Sequence, residues 1–240
     1  MLLLLPATTL WALEPQPYHS VYEVSVAGLS IGAMERQLER LAEGEFRLKT
    51  KIYITGFMAN FRDDRMEEES RWRWNEKTEQ QQPLAYRYTK RGGSKEKQRS
   101  VDFDYVKGVA ISRDQAEVTE LKLPDPATTI HDKLSYQWLL RHELAQRKRE
   151  FVYQLVDGDA LREYQFRVVG KVVLSTPAGK FDTLEVERIN ADGRKISFWC
   201  ALDHDFQLVK IIQDDGRQEI TAVISELNRT TPPPAATSKK

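Results

Sequence analysis

Cysteine is nearly absent from this chain of 240 residues: Cys200 stands alone. A lone thiol forms no internal disulfide and cannot build a cysteine-rich zinc or iron–sulfur site. Net charge is missing as well, with 36 basic against 36 acidic side chains. The chain therefore lacks the long-range field with which a protein dedicated to DNA or RNA attracts phosphate, and no nucleic-acid partner is expected. No apolar run reaches the length of about 20 residues that spans a bilayer as a helix, so no integral membrane segment is expected either. A hydrophobic fraction of 40% plus 12 glycines is nevertheless enough for a packed core, which excludes disorder throughout.

The two ends differ from the middle. Met1–Ala12 reads MLLLLPATTLWA, a short apolar run broken at once by LEPQPYHS. It has the length of the apolar region of a secretory signal peptide, with small Ala12 before the cut, although no basic residue precedes it. With no cysteine after the run, a lipoprotein anchor is not expected. The mature protein is thus expected in the periplasm. At the far end, residues 229–240 close on TTPPPAATSKK, which has no apolar periodicity and is expected to be a disordered tail.

Between the ends the dominant period is two. Phe46, Leu48, Thr50, Ile52 and Ile54 alternate with Arg47, Lys49, Lys51 and Tyr53, the pattern of a strand with one buried and one wet face. The rhythm returns in Met66, Trp72 and Trp74, in Tyr86 and Tyr88, in Val101 and Phe103, in Tyr164 and Phe166, and in Ile196, Phe198 and Cys200. Turn chemistry separates the runs at Arg91-Gly92-Gly93-Ser94, Asp157-Gly158-Asp159, Pro177-Ala178-Gly179, Asp192-Gly193 and Asp215-Gly216. Connections this short permit antiparallel neighbours. The spacing therefore predicts a mainly β fold: a single large curved antiparallel sheet, or incomplete barrel, of about ten to thirteen strands. Ala33–Leu41 fits helix and strand almost equally and is read as strand. Without an internal linker or repeat, residues 18–228 are expected to form one domain.

One segment breaks the rhythm. His131–Gln146 holds no Gly, Pro or β-branched residue and offers Asp132 as an N-cap, so it predicts a helix packed on the sheet through Leu134, Trp138, Leu140, Leu144 and Ala145. Arg141 lies about 20° from Leu134 around the axis, inside that apolar arc. An unpaired buried charge is costly, so Arg141 is expected to meet a carboxylate or backbone carbonyls on the sheet, or a ligand.

Signals for chemistry are thin. Cys200 lies four residues before His204, which Asp203 and Asp205 flank, an arrangement that could activate a thiolate. However, Cys200 shares its alternation with Ile196 and Phe198, which points it inward as an inert small hydrophobe. His131 and His142 stand some three helical turns apart, about 16 Å along an axis, and cannot share a metal ion. Thr176–Lys180 lacks the upstream glycine and the following hydroxyl of a phosphate loop and reads as a hairpin turn. Arg62–Arg73 alternates in sign, which predicts cross-strand ion pairing. Arg87, Lys90, Arg91, Lys95, Lys97 and Arg99 cluster around a glycine turn, either as a solvated hairpin or as a basic patch for anionic envelope components. No metal and no cofactor are expected.

The order of the motifs is similar to that of an exported bacterial family known only as a domain of unknown function, DUF 3108. The match runs from Tyr22-Glu23-Val24 with Gly28 and Gly32, through Val101-Asp102-Phe103-Asp104, to Asp132, Ser135, Leu140 and Arg141. It continues through Thr176, Pro177, Gly179 and Phe181 to Trp199–Asp205, covering most of the chain. Gln207-Leu208-Val209 departs from it, since family members often carry a proline there. The resemblance implies a secreted, mainly antiparallel β protein with one helix, and no established activity. The architecture also resembles periplasmic lipoprotein carriers, in which a curved sheet wraps an apolar cavity plugged by helix.

Two functions follow. In the first, a concave apolar face partly covered by the helix binds or carries a lipid or other hydrophobic ligand, because each buried methylene contributes about 0.8 kcal/mol. Its candidate lining is Trp72, Trp74, Tyr86, Phe103, Trp138, Arg141 and Phe198, with Phe166 also facing inward. The same aromatics equally describe a filled core, which leads to the second reading, an envelope assembly protein that binds other proteins through a sheet edge or the basic hairpin. No acid, base and nucleophile converge in the sequence, which places an enzyme third.

Overall fold

The computed structural model describes residues 15–42, 44–56, 59, 64–92, 96–124, 130–189, 193–214 and 216–229. The leader expected over Met1–Ala12, and all but Arg229 of the tail expected over residues 229–240, lie outside the described residues.

The first half of the chain forms β1 (Tyr18–Val26), β2 (Leu29–Arg40), β3 (Glu45–Ile54), β4 (Arg65–Asn75), β5 (Gln80–Arg91), β6 (Lys97–Asp104), β7 (Val109–Asp114) and β8 (Glu117–Lys122). A short β9 (Ile130–His131) leads into the helix α1 (Ser135–Ala145). The rest is β10 (Glu150–Asp157), β11 (Ala160–Thr176), β12 (Gly179–Arg188), β13 (Lys195–Ala201), β14 (Gln207–Asp214) and β15 (Glu219–Arg229).

All fifteen strands join one sheet in the order β8-β7-β6-β5-β4-β3-β2-β1-β15-β14-β13-β12-β11-β10-β9. Two meanders thus meet where β1 pairs with β15. Every pairing is antiparallel except β9 with β10. That exception has a topological cause: parallel neighbours need a crossover, and α1 is the crossover. The sheet exceeds the expected strand number because its ends are built of pieces that carry no rhythm. β9 is two residues long, and β8 has no buried residue, so neither can show alternation.

The helix is shorter than His131–Gln146 at its start. His131 is spent on pairing with Leu155 in β9–β10, and Asp132 turns the chain into α1 from outside it. Its carboxylate accepts the N–H groups of Leu134 and Ser135, both at 2.8 Å, while Ser135 Oγ accepts the Asp132 N–H at 3.2 Å. This reciprocal arrangement satisfies the first orphan donors of the helix. Ser70 of β4 donates to the same carboxylate at 2.6 Å and ties the cap to the sheet.

The helix does not lie on the sheet with one wet side; it is enclosed by it. Leu134 and Trp138 pack with Leu38, Phe46, Leu48 and Trp72 of the first meander. Tyr136, Leu140 and Leu144 pack with Phe151, Tyr153, Phe166 and Phe198 of the second. A helix clasped from both sides needs apolar groups around most of its girth. The ring stays open, since β8 and β9 end the sheet without pairing. Across the gap, Ser112 of β7 donates to the Gly158 carbonyl in the β10–β11 turn at 2.5 Å.

Glycine matters most at the β1–β2 hairpin. Gly28 turns the chain at φ +80°, a conformation that L side chains rarely adopt. Gly32 lets β3 approach so closely that a Cβ there would overlap the Tyr53 carbonyl oxygen.

Candidate functional site, a chamber at the start of the helix

The structure buries all seven residues expected to line a ligand site. Trp72, Trp74, Tyr86, Phe103 and Trp138 share one apolar cluster, whereas Phe198 belongs to the other. Trp138 stacks on Trp72 at 6.2 Å and meets Trp74 edge-on at 4.9 Å, and Phe46 backs Trp72 at 6.2 Å. Phe198 stacks on Phe166 at 5.8 Å. Arg141 tethers α1 to the β13–β14 turn: its Nε and Nη2 donate to the Asp205 carbonyl at 3.2 and 3.1 Å, and its guanidinium lies 5.1 Å from the Tyr18 ring centre. None of the seven borders the chamber described next.

That chamber, of about 400 Å³, lies between β2–β4 of one meander and β12–β15 of the other, at the N-terminal end of α1. Strand register builds its floor and wall. Arg36, Thr50 and Glu68 sit directly opposite one another on β2, β3 and β4, as do Met34, Ile52 and Met66 one step along. Because alternation turns Met34, Arg36 and Leu38 to the same face, Arg36 is carried inside. Ile196, Ile211 and Ile220 form the opposite apolar wall, and Leu134, Tyr136 and Gln137 of the helix start close one end.

Three polar side chains that line the chamber each carry a buried atom without a partner. Arg36 is 3% exposed, Thr50 6% and Gln137 6%. Arg36 Nε, Thr50 Oγ1 and Gln137 Oε1 are buried without a hydrogen bond. Buried polar atoms are almost always satisfied, so three orphans on residues that line one cavity mark it as a candidate site. Glu68 accepts from the Tyr86 hydroxyl at 2.8 Å, and burial raises its pKa above the usual carboxylate range. Cations outnumber acids around the chamber: Arg36, Lys133, Arg188, Arg194 and Lys195 against Glu68 and Asp214. Lys133 is engaged with Asp157 at 2.6 Å, and Arg188 stacks over the Tyr164 ring at 3.7 Å.

Sequence reasoning passes over Arg36, Thr50, Glu68 and Gln137 as site residues. Arg36 has a signal, a charge on the apolar parity of a strand, but it appears only once Ala33–Leu41 is fixed as strand.

The other sequence features resolve as structure. Glu45 accepts Arg71 at 2.8 Å and Arg73 at 3.0 Å across β3–β4, and these guanidiniums hold its carboxyl below the usual range. In the basic hairpin, Arg87 pairs with Asp102, and Arg99 pairs with Asp114 at 2.6 Å; Lys95 lies outside the described residues. A second cavity of about 330 Å³, at the gap between β7–β8 and the β10–β11 turn, is lined by groups that already pair, such as Arg99 with Asp114 and Lys133 with Asp157. His204 meets Phe181 edge-on at 5.2 Å. Among the described residues, no three His, Cys, Asp or Glu side chains come together as a metal site.

Cys200 is fully buried, and burial pushes its thiol up to about 12. A thiol so placed is neither ionised nor reachable. We expect the native protein to resist a thiol-specific chromogenic reagent and to react with one equivalent in denaturant; Cys200→Ala should leave any activity intact. Rapid labelling of the folded chain would contradict this.

The family model described as Protein of unknown function (DUF3108) matches residues 21–224. The chain belongs to that family. DUF3108 carries no activity in its description, and no curated protein matches the chain in sequence. Among solved structures, the chain is similar to a β-barrel-like protein of the DUF1849 domain of unknown function from Brucella abortus. The identity is 10%, the TM-score 0.58, and the alignment covers 90% of this chain and 98% of that one. At such identity the likeness concerns the fold alone. A candidate lipoprotein from Parabacteroides distasonis aligns over 89% of this chain and 96% of its own, with 12% identity and a TM-score of 0.32, too low to inform the fold. No helix of the described residues is long and apolar enough to cross a membrane.

Proposed function

We propose that this DUF3108 protein is an exported, periplasmic, non-enzymatic binding or carrier module for a lipid or other hydrophobic small molecule, with residues 18–228 acting as one domain behind a cleaved leader. The observation that carries the reading is the chamber itself. Its volume of about 400 Å³ falls in the range of about 300–1,000 Å³ usual for small-molecule sites, and it joins apolar walls to a few convergent polar groups. The aromatic cluster around Trp72 and Trp138 then serves as the rigid backing of the chamber, holding α1 in place, and needs no cofactor.

A second reading, an envelope assembly protein, draws support from β8. This strand ends the sheet with one hydrogen-bonding side unpaired and carries Val118 at 65% exposure. Such an edge can accept a partner strand.

Mass spectrometry of organic extracts separates the two. Protein purified gently from its native compartment should yield a small amphiphile near one equivalent, and the chamber-filling variant Ala222→Phe should yield much less. An empty extract, together with a defined protein crosslinked to β8, would overturn the carrier reading in favour of assembly.

A further inference from the structure

We propose that the chamber floor is a head-group site, in which Arg36, Thr50 and Gln137 recognise an anionic single-chain amphiphile that carries a hydrogen-bond donor beside its anion, as a 3-hydroxy fatty acid does. The inference rests on the carrier reading and adds the chemistry of the ligand.

The three orphan atoms differ in kind, and the difference is informative. Arg36 Nε–H can only donate, and its guanidinium makes no ion pair with the described residues. The acid it does feel is Glu68, in the same register row but beyond ion-pair distance, and burial raises that carboxyl's pKa, which favours its neutral form; the position is therefore suited to an anion brought by a ligand. Thr50 Oγ1, directly opposite Arg36 in the β2–β3 register, can donate to the same anion. Gln137, which also lines the chamber, differs: its Nε2 already donates to the Lys133 carbonyl at 3.2 Å, which leaves Oε1 as a buried acceptor without a hydrogen bond. An anion alone cannot satisfy it; a ligand hydroxyl or amide N–H can.

The surroundings favour the same ligand. Arg194 and Lys195 add positive charge to Arg36, while Lys133 is already paired with Asp157 and Arg188 stacks over Tyr164; the lining acids are Glu68 and Asp214. Met34, Ile52 and Met66 on one side and Ile196, Ile211 and Ile220 on the other offer an apolar lining to a chain. Ile52, Met66, Ile196 and Ile220 are only half-buried, whereas Arg36, Thr50 and Gln137 are buried, so the head group lies deep and the tail runs toward solvent. Water could fill the floor, but water has no preference among chains that differ only in their head group.

That distinction sets the test. Hexadecan-1-ol, hexadecanoate and 3-hydroxyhexadecanoate are titrated into the full-length protein by displacement of a fluorescent acyl probe, with wild type, Arg36→Met, Thr50→Val and Gln137→Met. Charge-assisted hydrogen bonds in a buried site predict that hexadecanoate binds wild type about 10–100-fold more tightly than the alcohol. Arg36→Met should erase that difference, and Thr50→Val should narrow it. The 3-hydroxyl should add about fivefold or more, and Gln137→Met should remove this gain alone. Equal binding of all three chains to wild type, or an undiminished anion preference in Arg36→Met, overturns the head-group site and leaves the carrier standing. Failure of every chain to bind a wild-type protein that melts cooperatively overturns the carrier itself.

Discussion

Trp72→Ala is expected to lower the free energy of unfolding by about 3–5 kcal/mol, the range for removing a large aromatic from a packed core. Trp72 is fully buried, with Phe46 and Trp138 each 6.2 Å away, so it joins β3, β4 and α1 at one point. Nothing else can flow into the gap without moving the helix. Its indole N–H has no hydrogen-bond partner, so truncation breaks none and the cost is one of lost packing. Trp72→Phe keeps a ring in the stack and dispenses with the unsatisfied N–H, and should cost far less. Urea denaturation followed by circular dichroism measures both. A loss below about 1 kcal/mol for the alanine variant would mean that this cluster is not the rigid support of the helix.

The second large effect is acid sensitivity through His131. Its ring is buried, Nδ1 has no partner, and burial alone pushes its pKa from the ordinary 6.5 down to about 3. The native state therefore holds His131 neutral while the unfolded chain takes up a proton. Stability from this group is complete above pH 6.5 and is lost as pH falls toward 3, by up to about 1.4 kcal/mol per pH unit. Between pH 7 and pH 5 the loss is about 2 kcal/mol. Glu68 and Asp132, whose carboxyls burial raises, work in the opposite direction, because the native state then binds their protons more readily. The comparison of wild type with His131→Leu isolates the histidine: the variant should unfold at the same or higher urea concentration at pH 5, and the gap should close at pH 8. Parallel acid profiles for the two proteins would show that His131 is protonated in the folded state.

Most strands were legible because they carry their own alternation, which also turns Cys200 inward and sets the charges of β4 for cross-strand pairing, while Arg141 was legible from its angle around the helix. The limits of the helix were not legible, since the pattern His131–Leu134 fits a first helical turn, and only the pairing of His131 with Leu155 takes it into a strand. Enclosure of α1 on both sides was hidden for a related reason. Tyr136 is buried by the second meander and His142 by Trp74 of the first, and neither contact is visible in the helical spacing. The chamber was the least accessible feature. Its floor needs Arg36, Thr50 and Glu68 in register across three strands and Gln137 arriving from a helix some seventy residues later. The aromatic residues of the candidate lining are buried in the two apolar clusters.

Methyl NMR on methionine-labelled protein tests the chamber most directly. Met34 and Met66 line it, whereas Trp72, Trp74 and Trp138 do not, and their indole N–H signals supply an internal control. On titration with hexadecanoate, the Met34 and Met66 methyl signals should shift and saturate together while those indole signals stay in place. Unmoved methionines with shifting tryptophans, or no saturable change anywhere, would contradict a ligand chamber at the start of the helix.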